Sequence, residues 1–362
     1  MLKMKPRMKG QALERAALDR LAAALREVPF LDDADVKRES TRGDSRVDFA
    51  LGIRGAATDH RLVCQVKSSG QPRIAREACL NLLDYTRSDR RDYPVFIAPY
   101  ISPEASSICE GYGVGYADLA GNCRLAFDQL YIRREGYPNA GVQKRDLRSL
   151  YSPKAERVLR VLLASGKRDW RMQQLADEAG VSLGQAANVK KLLADREWIS
   201  TGTGGLRLRS LDEAVSPLLK EWAANYRSSR NSQADFYSLK AIPRTEAELV
   251  EVGRKLKIRF AFTGFSGAAR LAPAVRYQRV TAYAAGDAEA LAAGLNLKRV
   301  TSGANLTLIA PYDAGVFYGS CDVEGAPIVS PVQLWLDLGQ TKGRGEEAAA
   351  AILEEVIKPK WR

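Results

Sequence analysis

A chain of 362 residues, 46% of them hydrophobic, is long enough for two or three domains and apolar enough to bury real cores, which excludes a largely disordered polymer. No apolar run approaches the roughly 20 residues that cross a bilayer, and the basic start Met1-Leu2-Lys3-Met4-Lys5 is not followed by an apolar signal core, so a cytoplasmic protein without membrane partners is expected. The net charge of +12 is uneven: +5 over residues 1–150, +5 over the much shorter stretch 151–210, and +2 over 211–362. A dense basic segment favours phosphate backbones through counterion release, although a solvated basic face gives the same count.

Taken in chain order, apolar residues at helical spacing (Leu13, Ala16, Leu18, Leu21, Leu25) predict a helix over 10–26. Strands are predicted over 35–39, 46–53 and 60–67, a helix over 73–85, and a short apolar strand over 94–99 between Pro94 and Pro99. Ser102-Pro103-Glu104 starts a helix over 102–111, and two short strands, 115–118 and 123–132, complete an α-β-β-β-α-β-α-β-β order. That order predicts a mixed-sheet α/β domain over 1–137, followed by a polar linker over 136–148.

The segment 152–209 carries the pattern of a winged helix-turn-helix, within a domain set at 150–210. A helix over 153–164 turns Ala155, Val158, Leu159 and Leu162 inward. Leu175 and Ala176 pack a support helix, Ala179 allows close helix approach, and Gly180 stands where the sharp turn favours positive φ. Ser182 can cap a second helix reaching about Arg196, with Gln185 completing a capping box. On that helix Ala186, Val189, Leu192 and Leu193 face inward. Gln185 and Asn188 are the candidate base readers, Lys190 and Lys191 the phosphate contacts, and Ser182 a further phosphate contact near the helix N-terminus. Thr201-Gly202-Thr203-Gly204-Gly205 followed by Leu206-Arg207-Leu208-Arg209 has the form of a β-hairpin wing, with Arg207 and Arg209 directed at the backbone. A winged helix used only for protein contact is the alternative.

Beyond this segment a helix is predicted over 214–226, a polar hinge over 225–233, and a third α/β domain over 234–362 with helices 246–257 and 346–357 and buried strands 280–283 and 306–310. Five cysteines (Cys64, Cys79, Cys109, Cys123, Cys321) without a CxxC pair, and the single histidine His60, argue against a zinc site and histidine-based catalysis; the thiols are expected reduced and core-filling.

In the first domain, Asp48 and the Gln65-Val66-Lys67 strand resemble the PD-(D/E)xK nuclease arrangement, in which two acidic ligands hold Mg²⁺ and a lysine stands by the attacking water. A hairpin brings Asp48 beside Gln65 and Lys67, with Glu14 on the first helix as a further acidic candidate. The departure is Gln65, a neutral amide where the family usually has Asp or Glu, although some branches carry Gln. A Mg²⁺-dependent deoxyribonuclease using Glu14, Asp48, Gln65 and Lys67, with Asp48 and Gln65 on the metal, therefore stands beside a restriction-endonuclease-like scaffold without activity, and beside a plain Asp48–Lys67 ion pair.

Four phrases, VGYADLAGNCRL at 114–125, TGFSGAA at 263–269, PYDAGVFYG at 311–319 and VSPVQLWLDL at 329–338, together with the winged-helix pattern, resemble the AbiEi-type antitoxin family of type IV toxin–antitoxin systems. The resemblance implies a DNA-binding winged helix, a C-terminal domain with antitoxin activity, and repression of the protein's own operon. Many members carry the winged helix at the N-terminus, whereas here about 150 residues precede it. The turn Gly264-Phe265-Ser266 before Val280-Thr281-Ala282-Tyr283 also resembles a nucleotidyltransferase core, but without the two carboxylates that chemistry needs; an ordinary helix N-terminus on a sheet is the alternative. The expected partners are double-stranded DNA and a cognate toxin, with homodimerisation left open. DNA binding needs no cofactor, and only the nuclease alternative needs Mg²⁺.

Overall fold

A computed structural model of the chain describes residues 10–28, 36–39, 47–54, 59–139, 150–286 and 288–361. The basic N-terminus, Asp35 and Arg46 at the expected strand starts, and linker positions 140–148 lie outside the described residues. The chain divides into two compact units, residues 1–146 with 194–197, and residues 147–193 with 198–362.

The first unit is a seven-stranded sheet whose spatial order follows chain order: β1 (Val36–Glu39), β2 (Phe49–Ile53), β3 (His60–Val66), β4 (Asp92–Ala98), β5 (Gly115–Asp118), β6 (Cys123–Phe127) and β7 (Leu130–Arg134). Only β3–β4 and β4–β5 pair in parallel, because these are the steps where helices α2 (Pro72–Thr86) and α3 (Pro103–Gly111) intervene. Helix α1 (Gly10–Arg26) buries Leu13, Ala17, Leu21 and Leu25; the last three pack on one sheet face with Phe49, Leu51, Leu62 and Cys64. The opposite face packs Val63 and Phe96 against Ala75, Ala78, Cys79 and Leu82 of α2 and Ala105 and Cys109 of α3. Two expectations change. β4 starts at Asp92, because Arg61 grips that carboxylate with two bonds of 2.6 Å, so Pro94 lies inside the strand. The expected strand 123–132 is a hairpin, because Asp128 takes a left-handed conformation (φ 49) and turns the chain back.

The second unit opens with helices α4 (Pro153–Ala164), α5 (Met172–Ala179) and α6 (Leu183–Asp195), then the hairpin β8 (Ile199–Gly202) and β9 (Gly205–Leu208). A wide helical turn, Leu211–Val215, leads into α7 (Ser216–Asn225). The rest is a second seven-stranded mixed sheet built from β10 (Ser232–Tyr237), β11 (Phe260–Phe262), β12 (Val280–Ala284), β13 (Lys298–Arg299), β14 (Leu306–Ala310), β15 (Cys321–Val323) and β16 (Ala326–Ile328), in the order β13-β10-β14-β12-β11-β16-β15. Helices α8 (Ile242–Leu256), α9 (Gly264–Leu271), α10 (Ala288–Gly294), α11 (Pro331–Gly339) and α12 (Gly345–Ala351) complete it. Strands β12 and β14 pair in parallel at the sheet centre, as continuous apolar runs do when both faces are covered. The expected hinge 225–233 is pinned: the Tyr226 hydroxyl donates to Asp337, Arg230 donates to the Tyr151 carbonyl, and Asn231 accepts from the Tyr312 amide. Among the described residues no helix is long and apolar enough to cross a membrane, and the five cysteines are free thiols.

Candidate nucleic-acid interface

Helix α5 ends where Gly180 adopts φ 59, ψ 43, which a side chain would oppose. There the Gly180 and Val181 amides donate to the Asp177 and Ala176 carbonyls, closing the α5 terminus and turning the chain sharply. Ser182 then caps α6 by accepting from the Gln185 amide at 3.2 Å. Ala186, Val189, Leu192 and Leu193 are buried, as their spacing predicts.

The exposed residues of α6 are Leu183, Gly184, Ala187, Asn188 and Lys191, with Ser182 just before them. At about 100° per residue they form one continuous stripe opposite the buried one. Of the sequence candidates, Asn188, Lys191 and Ser182 thus lie on or beside the open face, while Lys190 sits half-buried on its flank and Gln185 half-buried on the packed side, between Leu192 and Val189.

In the hairpin, Leu206 and Leu208 point inward, so Arg207 and Arg209 share the outer face. Each has an acidic neighbour, Asp169 and Glu213, both at 3.8 Å. Trp170 joins the hairpin through a single antiparallel bridge, exchanging backbone bonds of 2.7 and 2.9 Å with Leu206. Gly205 is needed there: a Cβ would stand 2.3 Å from the Trp170 carbonyl oxygen.

Helix α4 is buried nearly all round, because it packs against α5 on one side and against 314–317 and α11 on another. Glu156 and Arg160, an i,i+4 pair that reads as solvated in sequence, are 0% and 1% exposed. Glu156 accepts from the Tyr312 hydroxyl, from Trp222 Nε1 at 3.3 Å and from Arg230 at 3.2 Å. Arg160 donates to Gln333 Oε1 at 2.6 and 3.1 Å. Gln333 passes the chain on, donating through Nε2 to the Tyr226 hydroxyl and to Asp337, whose other oxygen accepts from Thr263 at 2.6 Å. Burial raises the Asp337 carboxyl above its ordinary range against the pull of these donors. The C-terminal phrases 263–269, 311–319 and 329–338 thereby meet in one polar network at α4. Two more contacts tie the 311–319 phrase to α4 and α5: Arg157 to Asp313, and the Tyr318 hydroxyl to Glu178 at 2.8 Å. Sequence carried no signal for this, since each of these residues alone has the character of a solvated side chain.

In the first unit, extending the β2–β3 register by one residue sets Asp48 opposite Gln65, with Lys67 two residues further along the same face. Asp48 accepts from the Val66 amide at 2.6 Å, and burial raises its carboxyl while Val66 and Lys67 pull it down. Gln65 is 3% exposed, and its Oε1 has no hydrogen-bond partner among the described residues. Glu14 belongs to α1, the helix of the opposite sheet face. Among the described residues no group of three His, Cys, Asp or Glu is placed to hold a metal. One carboxylate and one amide are a weak donor set for Mg²⁺, which favours carboxylates and water. The phrase 114–125 shapes a turn around a buried carboxylate, since Asp118 accepts from the Ile101, Gly121 and Asn122 amides and from Asn122 Nδ2.

In the C-terminal sheet the Ser266 hydroxyl is engaged internally. It donates to the Thr263 or Thr281 carbonyl and accepts from the Thr281 amide at 2.9 Å, stitching α9 to β12.

These features define a chain in which a mixed-sheet unit accompanies a second unit that joins a three-helix-and-hairpin module to a larger α/β body. Residues 214–358 match the family model described as transcriptional regulator, AbiEi antitoxin, type IV toxin–antitoxin system, so this region is similar to the regulator antitoxins of such systems. Comparison with curated proteins and with solved structures returned no match.

Proposed function

We propose that the protein is a DNA-binding transcriptional regulator acting in the cytoplasm as the antitoxin of a type IV pair and repressing its own operon. The observation that carries this is the open stripe of α6, with Asn188 and Lys191 on it and Arg207 and Arg209 exposed on the hairpin. We read α4 to α6 with β8 and β9 as a winged helix-turn-helix: α6 enters the major groove and the hairpin arginines follow the backbone. The antitoxin part rests on the match of residues 214–358, and we assign toxin neutralisation to residues 234–362.

Footprinting on the DNA upstream of its own gene tests the reading. Protection that weakens steeply with salt is expected; absence of protection at low salt overturns it. Replacing Gln185 and Asn188 by Ala should relax sequence preference, and the stoichiometry of the complex tells whether one or two copies bind. Co-purification with the product of an adjacent toxin gene tests the second activity.

For the first unit we propose a nuclease-like scaffold that does not cleave, because Asp48 stands with an amide where a second carboxylate is required. Incubation with plasmid and Mg²⁺ decides: cleavage abolished by Asp48→Ala would restore the nuclease reading with Glu14, Asp48, Gln65 and Lys67 as its residues.

A further inference from the structure

We propose that Leu183 is a specificity-determining residue that takes the 5-methyl group of a thymine in the major groove; this rests on the DNA-binding reading above. Leu183 is the first residue of α6 and is 49% exposed, while the other large aliphatic side chains of that helix are buried. A single exposed leucine means little by itself. Its surroundings give it meaning. The next position is Gly184, where a Cβ would meet nothing within 4 Å, so no contact among the described residues demands glycine. Glycine is a poorer helix former than alanine, and its presence leaves the outer surface of α6 clear beside Leu183. Ala187, one turn on, extends that clearance, and Asn188 and Lys191 continue the same stripe.

The stripe thus offers an apolar contact, then bare backbone, then an amide, then a cation. A duplex presents the matching series: the thymine methyl is the apolar group on the major-groove edge, the adenine edge pairs with an asparagine amide, and phosphates flank both. The basic character of 151–210 and the exposed Arg207 and Arg209 supply the charge complement. Leu183 and Asn188 are five residues apart, about 7.5 Å along the helix axis. That is about two base-pair steps, so the thymine is expected about two positions from the adenine that Asn188 reads.

The test uses the full chain and a pool of random-sequence duplexes. Failure to recover any preferred duplex would overturn the DNA-binding reading itself. With a recovered duplex in hand, each thymine is replaced in turn by deoxyuridine, which removes only the methyl, and binding is measured for the wild-type chain and for Leu183→Ala. The expected result is one thymine whose replacement weakens wild-type binding about fourfold, the worth of one buried methyl, and leaves Leu183→Ala binding unchanged. The variant should bind the deoxyuridine duplex within about twofold of wild type, which shows that it folds. Tight DNA binding in which no thymine replacement distinguishes the two proteins would overturn the assignment of Leu183 alone.

Discussion

Arg157 and Asp313 form a two-pronged ion pair, Nε to Oδ1 at 2.8 Å and Nη2 to Oδ2 at 2.9 Å, and the same guanidinium donates through Nη1 to the Gly180 carbonyl at 3.2 Å. One side chain of α4 therefore holds both the turn between α5 and α6 and the 311–319 segment. Arg157→Ala is expected to lower stability by about 1–3 kcal/mol, because Asp313 is left largely buried without its cation. A double-mutant cycle with Asp313→Ala in urea unfolding should return a coupling of about 0.5–3 kcal/mol; strict additivity would show the pair to be incidental.

Deeper in the same contact, Glu156→Gln should be more damaging. It leaves Arg160 and Arg230 without their shared carboxylate in a site where Glu156 and Arg160 are closed to water. The expected loss is about 3–5 kcal/mol, and adding Arg160→Met to Glu156→Gln should recover part of it, because it removes the fully buried cation, whereas Arg230 is 32% exposed and can reach water. Urea midpoints at constant m value check both.

The pH dependence of Asp48 has a defined sign. Burial raises its carboxyl above the ordinary 3.8, so the folded state binds this proton more tightly than the unfolded state. Ionisation consequently opposes folding; the penalty is full above the folded pKa and vanishes as pH falls to the unfolded value. Asp48→Asn keeps an oxygen for the Val66 amide and should melt at a higher temperature than wild type at neutral pH. The gap should close toward about pH 4, as melting scans across pH would show.

Gly184→Ala should separate stability from binding. The added methyl has open space and improves helix propensity by up to about 1 kcal/mol, so the melting temperature should hold or rise. DNA affinity should fall, because the methyl stands in the clearance beside Leu183. Thermal melts and gel-shift titrations on one preparation check the opposite signs.

Salt dependence distinguishes the cations. Lys191, exposed on the α6 stripe, is expected to contact phosphate, and Lys191→Ala should reduce the slope of log K against log salt by about 1. Arg207→Ala should reduce it by less, since Asp169 stands 3.8 Å from that guanidinium and already neutralises part of its charge.

Most local structure was legible in the residues. The turn at Gly180, the Ser182 cap and the buried positions Ala186, Val189, Leu192 and Leu193 follow from periodicity and backbone chemistry within a few residues. So does the alternation of Leu206 and Leu208 against Arg207 and Arg209. Which side of α6 is open is also local, yet the half-burial of Gln185 and Lys190 depends on how wide the packed stripe becomes, and that is set by neighbouring elements.

The sequence by itself determined the elements and their order up to about residue 226, and only part of them beyond it, because hydrophobic period, caps and turn residues act over one or two turns of chain. Tertiary structure alone decided what the charges do. Glu156 and Arg160 have the spacing of an exposed helix pair, and Tyr312, Gln333 and Asp337 lie more than 150 residues further along the chain. Only the fold brings them within hydrogen-bond reach, and only there, with water excluded, does their pairing become a condition of stability.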